Sequence, residues 1–191
     1  MPDMISPLTG LEGATTLTTG DNRLSLGNRA PPFILQVAGW DDFETAIQPL
    51  IASLGFERIG DYSTVQTSGA SYLVRLAPDR IWLLSNEAIE PAADLMPTDR
   101  LTTLDVTHGR WIIDISGSAL EDLLARLAPI DSRERHMPAG SFAQTAIHKT
   151  SVLIWRRSGD HAEIFCPTSS TYSLWSFITD TAGPLGYRVA E

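Results

Sequence analysis

The stretch Leu101–Leu127, LTTLDVTHGRWIIDISGSALEDLLARL, constrains the fold more than any other part of this chain. It predicts a strand, a tight turn, a second strand and a helix. Asp105-Val106-Thr107 ends the first strand, and His108-Gly109 is a turn dipeptide in which glycine can take a positive φ. Trp111, Ile113 and Ile115 alternate along the second strand and belong to one face of a sheet. Ser116-Gly117 breaks that strand. Ser118 stands three residues before Glu121, the spacing of a capping box. Ala119, Leu120, Leu123, Leu124 and Leu127 then recur at helical spacing, so one face of the helix is apolar.

The rest of the chain extends this unit. Residues 1–30 read as an extended arm rather than a packed element, with Thr15-Thr16-Leu17-Thr18-Thr19-Gly20 as its least regular part. Pro31-Pro32 punctuates the start of a strand over Phe33–Ala38. Asp41 and Glu44 again have capping spacing, and Phe43, Ile47, Leu50, Ile51 and Leu54 form an apolar stripe that Gly55 ends. Pro49 lies inside that stripe and predicts a kink or restart, because an interior proline costs about 3 kcal/mol. Tyr72–Leu76 and Arg80–Ser85 flank Ala77-Pro78-Asp79 as a hairpin. Ile81-Trp82-Leu83-Leu84 is apolar on both faces, which predicts a central strand. Glu87–Leu95 reads as a short helix. Phe142–His148, Ser151–Arg157 and Ala162–Cys166 read as three consecutive antiparallel strands. Thr168–Ala182 is the last helix, with Tyr172, Trp175, Ile178 and Ala182 along one face. Leu185–Val189 is an edge strand. The order gives an α+β fold of antiparallel sheets with packed helices, in two interleaved subdomains. The expected organisation is an arm over 1–30 and a domain over 31–191, with a possible subdivision near 97–100.

Composition excludes several classes of function. The net charge is −9, Lys149 is the one lysine, and 43% of residues are hydrophobic. An acidic chain without a basic run cannot draw on phosphate neutralisation, so no nucleic-acid partner is expected. Arg156-Arg157 and the Arg133/Arg135 pair read as solvated surface. No apolar run approaches the ~20 residues of a membrane span, and the N-terminus lacks the pattern of a secretory signal. A cytoplasmic protein is expected. The single cysteine, Cys166, reads as a buried small hydrophobe and permits no internal disulfide. His108, His136, His148 and His161 do not stand at metal-ligand spacing, so no metal site is expected. There is no G-x-S-x-G, no G-x-G-x-x-G and no phosphate-cradling loop. Asp105 and Asp114 are strand carboxylates suited to acid–base work if both face one cleft, and to local pairing, for instance with Arg110, if they do not. Candidate pocket residues are Asp105, His108 and Arg110; no catalytic residue is assigned.

Several segments carry a family resemblance. Asp105–Ala119 resembles the D-[LV]-S-x-x-G-[KR] stretch of the aminomethyltransferase (glycine cleavage T-protein) superfamily. Pro129-Ile130-Asp131, Pro138-Ala139-Gly140, Phe142-Ala143-Gln144-Thr145 and Val152-Leu153-Ile154-Trp155-Arg156 resemble the series found in the sarcosine oxidase gamma subunit family. Ser6-Pro7-Leu8 and Leu76–Leu84 resemble its N-terminal SPL and its L-x-P-D-x-W-L-L. The resemblance is dense over roughly 70–187 and thin before that. Ser118 in place of proline, and Leu127-Ala128 in place of Gly-Cys, depart from the pattern and leave room for a related N-methyl amino acid dehydrogenase.

The resemblance implies a folate-binding-like fold and a non-catalytic gamma subunit. Its partners would be the alpha, beta and delta subunits of a heterotetrameric sarcosine oxidase. FAD, FMN, NAD and tetrahydrofolate would be bound by those partners and none by this chain alone. In the aminomethyltransferases an acidic, glycine-rich stretch follows the strand that here is Phe142–His148. This chain has Lys149-Thr150-Ser151 there, without those glycines and acids. A stand-alone folate-binding or one-carbon transfer protein is the alternative of a different class.

Overall fold

The structure, a computed structural model, describes residues 5–9, 23–92, 95 and 99–190. The chain forms two compact units. One combines Met1–Pro31 with His108–Glu191, and the other is Pro32–Thr107. The second is thus inserted in sequence into the first, and the fold is α+β as expected.

The inserted unit carries β2 (Phe33–Gly39), α1 (Phe43–Ser53), β3 (Gln66–Ser68), β4 (Ser71–Ala77), β5 (Arg80–Ser85) and β6 (Leu101–Asp105). Its antiparallel sheet runs β3-β4-β5-β2-β6. β5 is central, and Ile81 through Leu84 are all buried, as a strand apolar on both faces requires. The core joins Phe43, Ile47, Leu50 and Ile51 of α1 to Val37, Leu73, Ile81, Leu83 and Leu101. The C-terminus of α1 closes in a Schellman arrangement: Phe56 N–H donates to the Ile51 carbonyl and Gly55 N–H to that of Ala52, with Gly55 at φ +83°.

Three expectations fail in this unit. Asp42, not Asp41, is the N-cap of α1; it lies in the left-handed region at φ 66° and makes no side-chain cap bond. Its carboxylate turns to Arg100 instead, 2.9 Å away. Helix α1 also runs unbroken through Pro49, because a proline in an otherwise complete helix removes a single donor and the apolar stripe on the other face outweighs that loss. Over 87–92, within the stretch expected as a short helix, there is none; residues 93–94 and 96–98 lie outside the described residues.

The other unit contains β1 (Leu24–Arg29), β7 (Arg110–Ser116), α2 (Leu120–Leu127), β8 (Phe142–Ile147), β9 (Thr150–Ser158), β10 (His161–Pro167), α3 (Thr171–Ala182) and β11 (Tyr187–Val189). Its sheet order is β11-β1-β7-β10-β9-β8, antiparallel except for the β1–β11 pair. Helices α2 and α3 supply Leu120, Leu123, Leu124, Leu127, Leu174, Trp175 and Ile178 to a core with Trp111, Ile113, Ile115, Ala162, Ile164 and Cys166. A fully buried side chain of this kind contributes roughly 1.5–3 kcal/mol.

Part of the stretch expected as an arm is packed. Residues 24–29 are an inner strand between β7 and β11, with Leu24 and Leu26 almost wholly buried. Leu8 is buried too, while 10–22, including Thr15–Gly20, lie outside the described residues. The capping box fails as well. Ala119 is the N-cap of α2, with no side-chain bond, and the Glu121 carboxylate accepts the Glu134 N–H at 2.8 Å and an Arg156 guanidinium N–H at 3.3 Å. Tyr172 is exposed, and the inward stripe of α3 is Thr171, Leu174, Trp175, Ile178 and Ala182. Arg156 is 1% exposed rather than a surface charge. Trp40, just after the end of β2, is exposed.

Candidate functional site

The three candidate pocket residues fall in two units. Asp105 ends β6 in the inserted unit. It is exposed, and its Oδ1 accepts the Thr107 N–H at 2.9 Å. That bond shapes the turn, which Thr107 completes by accepting the Ile34 N–H on its hydroxyl at 2.9 Å. His108 sits exposed in the single-turn helix Thr107–Gly109 of the other unit, where its carbonyl accepts the Thr168 hydroxyl at 2.9 Å. Arg110 opens β7 half-buried, and burial pushes its guanidinium pKa down. Asp105 and His108 thus serve local turn geometry.

Two other places gather polar chemistry. In the inserted unit a cleft of about 820 Å³ is lined by Glu44, Gln48, Arg58, Asp61, Gln66 and Arg75, among others. The Arg75 guanidinium is held by Glu44 at 2.5 Å and lies 4.6 Å over the Tyr62 ring. Asp61 accepts the Ser63 and Thr64 N–H groups at 2.9 and 2.7 Å. The Ser63 N–H foremost, then that of Thr64 and the two hydroxyls, hold its carboxyl below the usual range.

In the other unit, Asp114 on β7 and Glu163 on β10 are cross-strand partners, and His161 is two residues along β10 on the same face. His161 Nε2 is 3.1 Å from both Asp114 oxygens. One potential ligand atom from each of the three residues falls within 4.8 Å of the others. Glu163 is nearly buried, and its Oε1 receives Arg29 at 2.6 Å and Arg157 at 3.6 Å. Arg157 in turn lies 3.8 Å over the Trp155 ring. Histidine spacing along the sequence misses this cluster because Asp114 and Glu163 meet only through strand pairing. The available signal is the His161-x-Glu163 alternation within one strand, which places both on one face.

The place where the aminomethyltransferase resemblance predicts an acidic loop is a tight hairpin. β8 ends at Ile147, β9 begins at Thr150, and these two residues pair directly. The connection is His148-Lys149, with His148 at φ 52°. A two-residue connection has no length from which to project a carboxylate over a ligand.

No family model and no curated protein matches the chain. Solved structures do. One is a chain of the heterotetrameric sarcosine oxidase from Corynebacterium sp. U-96 in complex with pyrrole 2-carboxylate, 19% identical, with TM-score 0.78 over 98% of each chain. The fold is that of a sarcosine oxidase chain. A second is the glycine cleavage system aminomethyltransferase T from Bartonella henselae, 17% identical, with TM-score 0.57. That match takes in 88% of this chain but spans only 48% of the aminomethyltransferase. Both likenesses are of fold, and together they place the chain in the architecture expected from its motifs. Among the described residues no helix is long and apolar enough to cross a membrane.

Proposed function

We propose that this chain is a non-catalytic, gamma-type subunit of a sarcosine oxidase-like complex, acting in assembly with the large subunit. One observation carries the reading: the likeness to a chain of a heterotetrameric sarcosine oxidase runs end to end on both sides, 98% of each. The matched chain is therefore of nearly the same length as this one. The two-residue His148-Lys149 connection adds to this, since it replaces the loop that would carry a positioned carboxylate. A catalytic carboxylate is typically worth 10²–10⁴-fold in rate. On this reading the alpha, beta and delta partners bind FAD, FMN, NAD and tetrahydrofolate. They oxidise sarcosine, or a related N-methyl amino acid, and pass the one-carbon unit to tetrahydrofolate. The complex works in the cytoplasm.

The test is to tag the chain in its native cell, isolate it at modest salt, and record the absorbance spectrum and the gel pattern. A yellow complex with two larger chains and one smaller, oxidising sarcosine, is the expected result. A colourless lone chain that binds tetrahydrofolate in a calorimetric titration overturns it in favour of a stand-alone folate protein.

A further inference from the structure

We propose that Asp114, His161 and Glu163 form a binding site for a divalent transition-metal ion of the zinc class, on the sheet face turned away from α2 and α3. The site is separate from the subunit reading and stands or falls without it. Its three donors come from two hydrogen-bonded strands. β10 supplies His161 and Glu163, and β7 supplies Asp114 directly opposite Glu163. Ile113, Ile115, Ala162 and Ile164, the residues between and beside them, point the other way into the core. The backbone under the donors is therefore fixed by packing before any ion arrives.

The donor set matches the ion. One imidazole and two carboxylates suit zinc-like cations, whereas magnesium and calcium prefer oxygen alone. Bonds of 2.0–2.2 Å to a tetrahedral ion put ligand atoms about 3.4 Å apart. His161 and Asp114 already stand at 3.1 Å, and all three donors fall within 4.8 Å. Asp114 and His161 are each about a third exposed, so small side-chain rotations close the remaining distance, and solvent reaches the position left for water. Next to Asp114, Gly27 on β1 has no side chain to fill that space; a Cβ there would touch only Ala190 and Asp114.

The charges around Glu163 fit a second shell. Arg29 and Arg157 both approach its Oε1. A ligating carboxylate held from behind by a hydrogen-bond donor is the usual arrangement around protein-bound metals. The competing account is a plain Asp114–His161 ion pair, which predicts no metal affinity.

The experiment uses the full-length chain with its tag removed. After treatment with a chelator and its removal, zinc is titrated calorimetrically, and cobalt(II) is followed by its visible absorption. The expected result is one zinc per chain and a cobalt spectrum of a mixed nitrogen–oxygen site. Asp114→Asn and His161→Gln should each weaken zinc binding more than about tenfold, the lower end of what even outer-shell losses cost. Their circular dichroism and metal-free urea midpoints should stay at the wild-type values. His136→Gln, at the exposed His136–Asp131 pair, is the control and should bind as wild type. The proposal is overturned if the wild type binds no stoichiometric zinc, if magnesium binds as tightly as zinc, or if the two site variants bind zinc as tightly as the wild type. Loss of binding in His136→Gln alone would equally overturn it, by placing the ion elsewhere.

Discussion

Arg156 in one unit and Arg75 in the other both lie against a core, and the two are held in different ways. In the unit built on the six-stranded sheet, Arg156 is 1% exposed and every nitrogen of its guanidinium is engaged. Nε donates to the Ser158 carbonyl, Nη1 to that of Ser132, and Nη2 to those of Gly159 and the Glu121 side chain. One side chain thus ties β9, the turn after it, the loop after α2 and α2 itself. In the inserted unit Arg75 has Glu44, the Gly60 carbonyl at 3.4 Å and the Tyr62 ring. Its Nε is buried without a hydrogen-bond partner among the described residues. A cation held by converging carbonyl dipoles leaves them all unpaired when its charge is removed, whereas one whose main partner is a solvated carboxylate leaves a group that returns to water.

The largest expected effect tests that contrast directly. Arg156→Met keeps most of the apolar stem but strands three carbonyls, and should cost about 3–5 kcal/mol in urea unfolding. Arg75→Met should cost about 1 kcal/mol, because Glu44 is exposed and returns to water. Equal losses would mean that the two arginines are equivalent anchors after all.

Glycines sharpen the same comparison at smaller scale. Gly117, after β7, has φ +130°, and a Cβ there would lie 2.1 Å from the Arg23 carbonyl oxygen. Gly69, at the β3–β4 turn, has φ +56° with nothing near. Gly117→Ala should cost about 3 kcal/mol or more, since strain and a backbone clash add. Gly69→Ala should cost about 1 kcal/mol, for left-handed backbone alone. Similar midpoints for both variants would show that the β1 backbone yields at Arg23. Of about the same size as Gly69→Ala, and opposite in sign, is Pro49→Ala. Pro49 is exposed on an unbroken α1, so the change restores a helix donor without loss of packing. It should stabilise by about 1 kcal/mol once the looser unfolded chain is counted.

What the sequence made legible follows from the reach of each signal. The stripe of α2 and the alternation of Trp111, Ile113 and Ile115 are local patterns, and every one of those residues reaches the core. Cys166 is buried as its apolar strand predicts, and burial pushes its thiol pKa up. β1 is hidden in the sequence although Leu24 and Leu26 alternate, because Gly27-Asn28 and the threonine-rich stretch before it read as irregular. The two capping boxes are spacing without context: Glu121 and Glu44 each find a stronger partner at long range, Arg156 and Arg75. Arg156 read as surface because its partners are carbonyls, which composition cannot display. The Asp114–His161–Glu163 cluster needs strand register, which becomes visible only after β7 and β10 pair.

The smallest expected effect compares two exposed carboxylates, one in each unit. Asp61 caps its turn through the Ser63 and Thr64 N–H groups, which hold its pKa down. Asp131 is held well below the usual carboxylate range, chiefly by the Arg133 side chain, with the Arg133 N–H and His136 adding to it. A carboxylate with a depressed pKa contributes stability that is fully present above its unfolded pKa, about 3.9. That contribution is lost as pH falls through the folded value. Asp61→Ala should therefore differ from wild type by on the order of 0.5 kcal/mol from neutral pH to about pH 5, and the gap should narrow below about pH 4. Asp131→Ala should keep its gap to lower pH. Added salt should shrink the Asp131 gap more, since its largest contribution is an exposed ion pair, which ions screen, whereas the Asp61 turn rests on backbone N–H groups. Urea midpoints across pH at low and high salt measure both. If salt moved the two variants equally, the turn at Asp61 would be held by charge rather than by its backbone geometry.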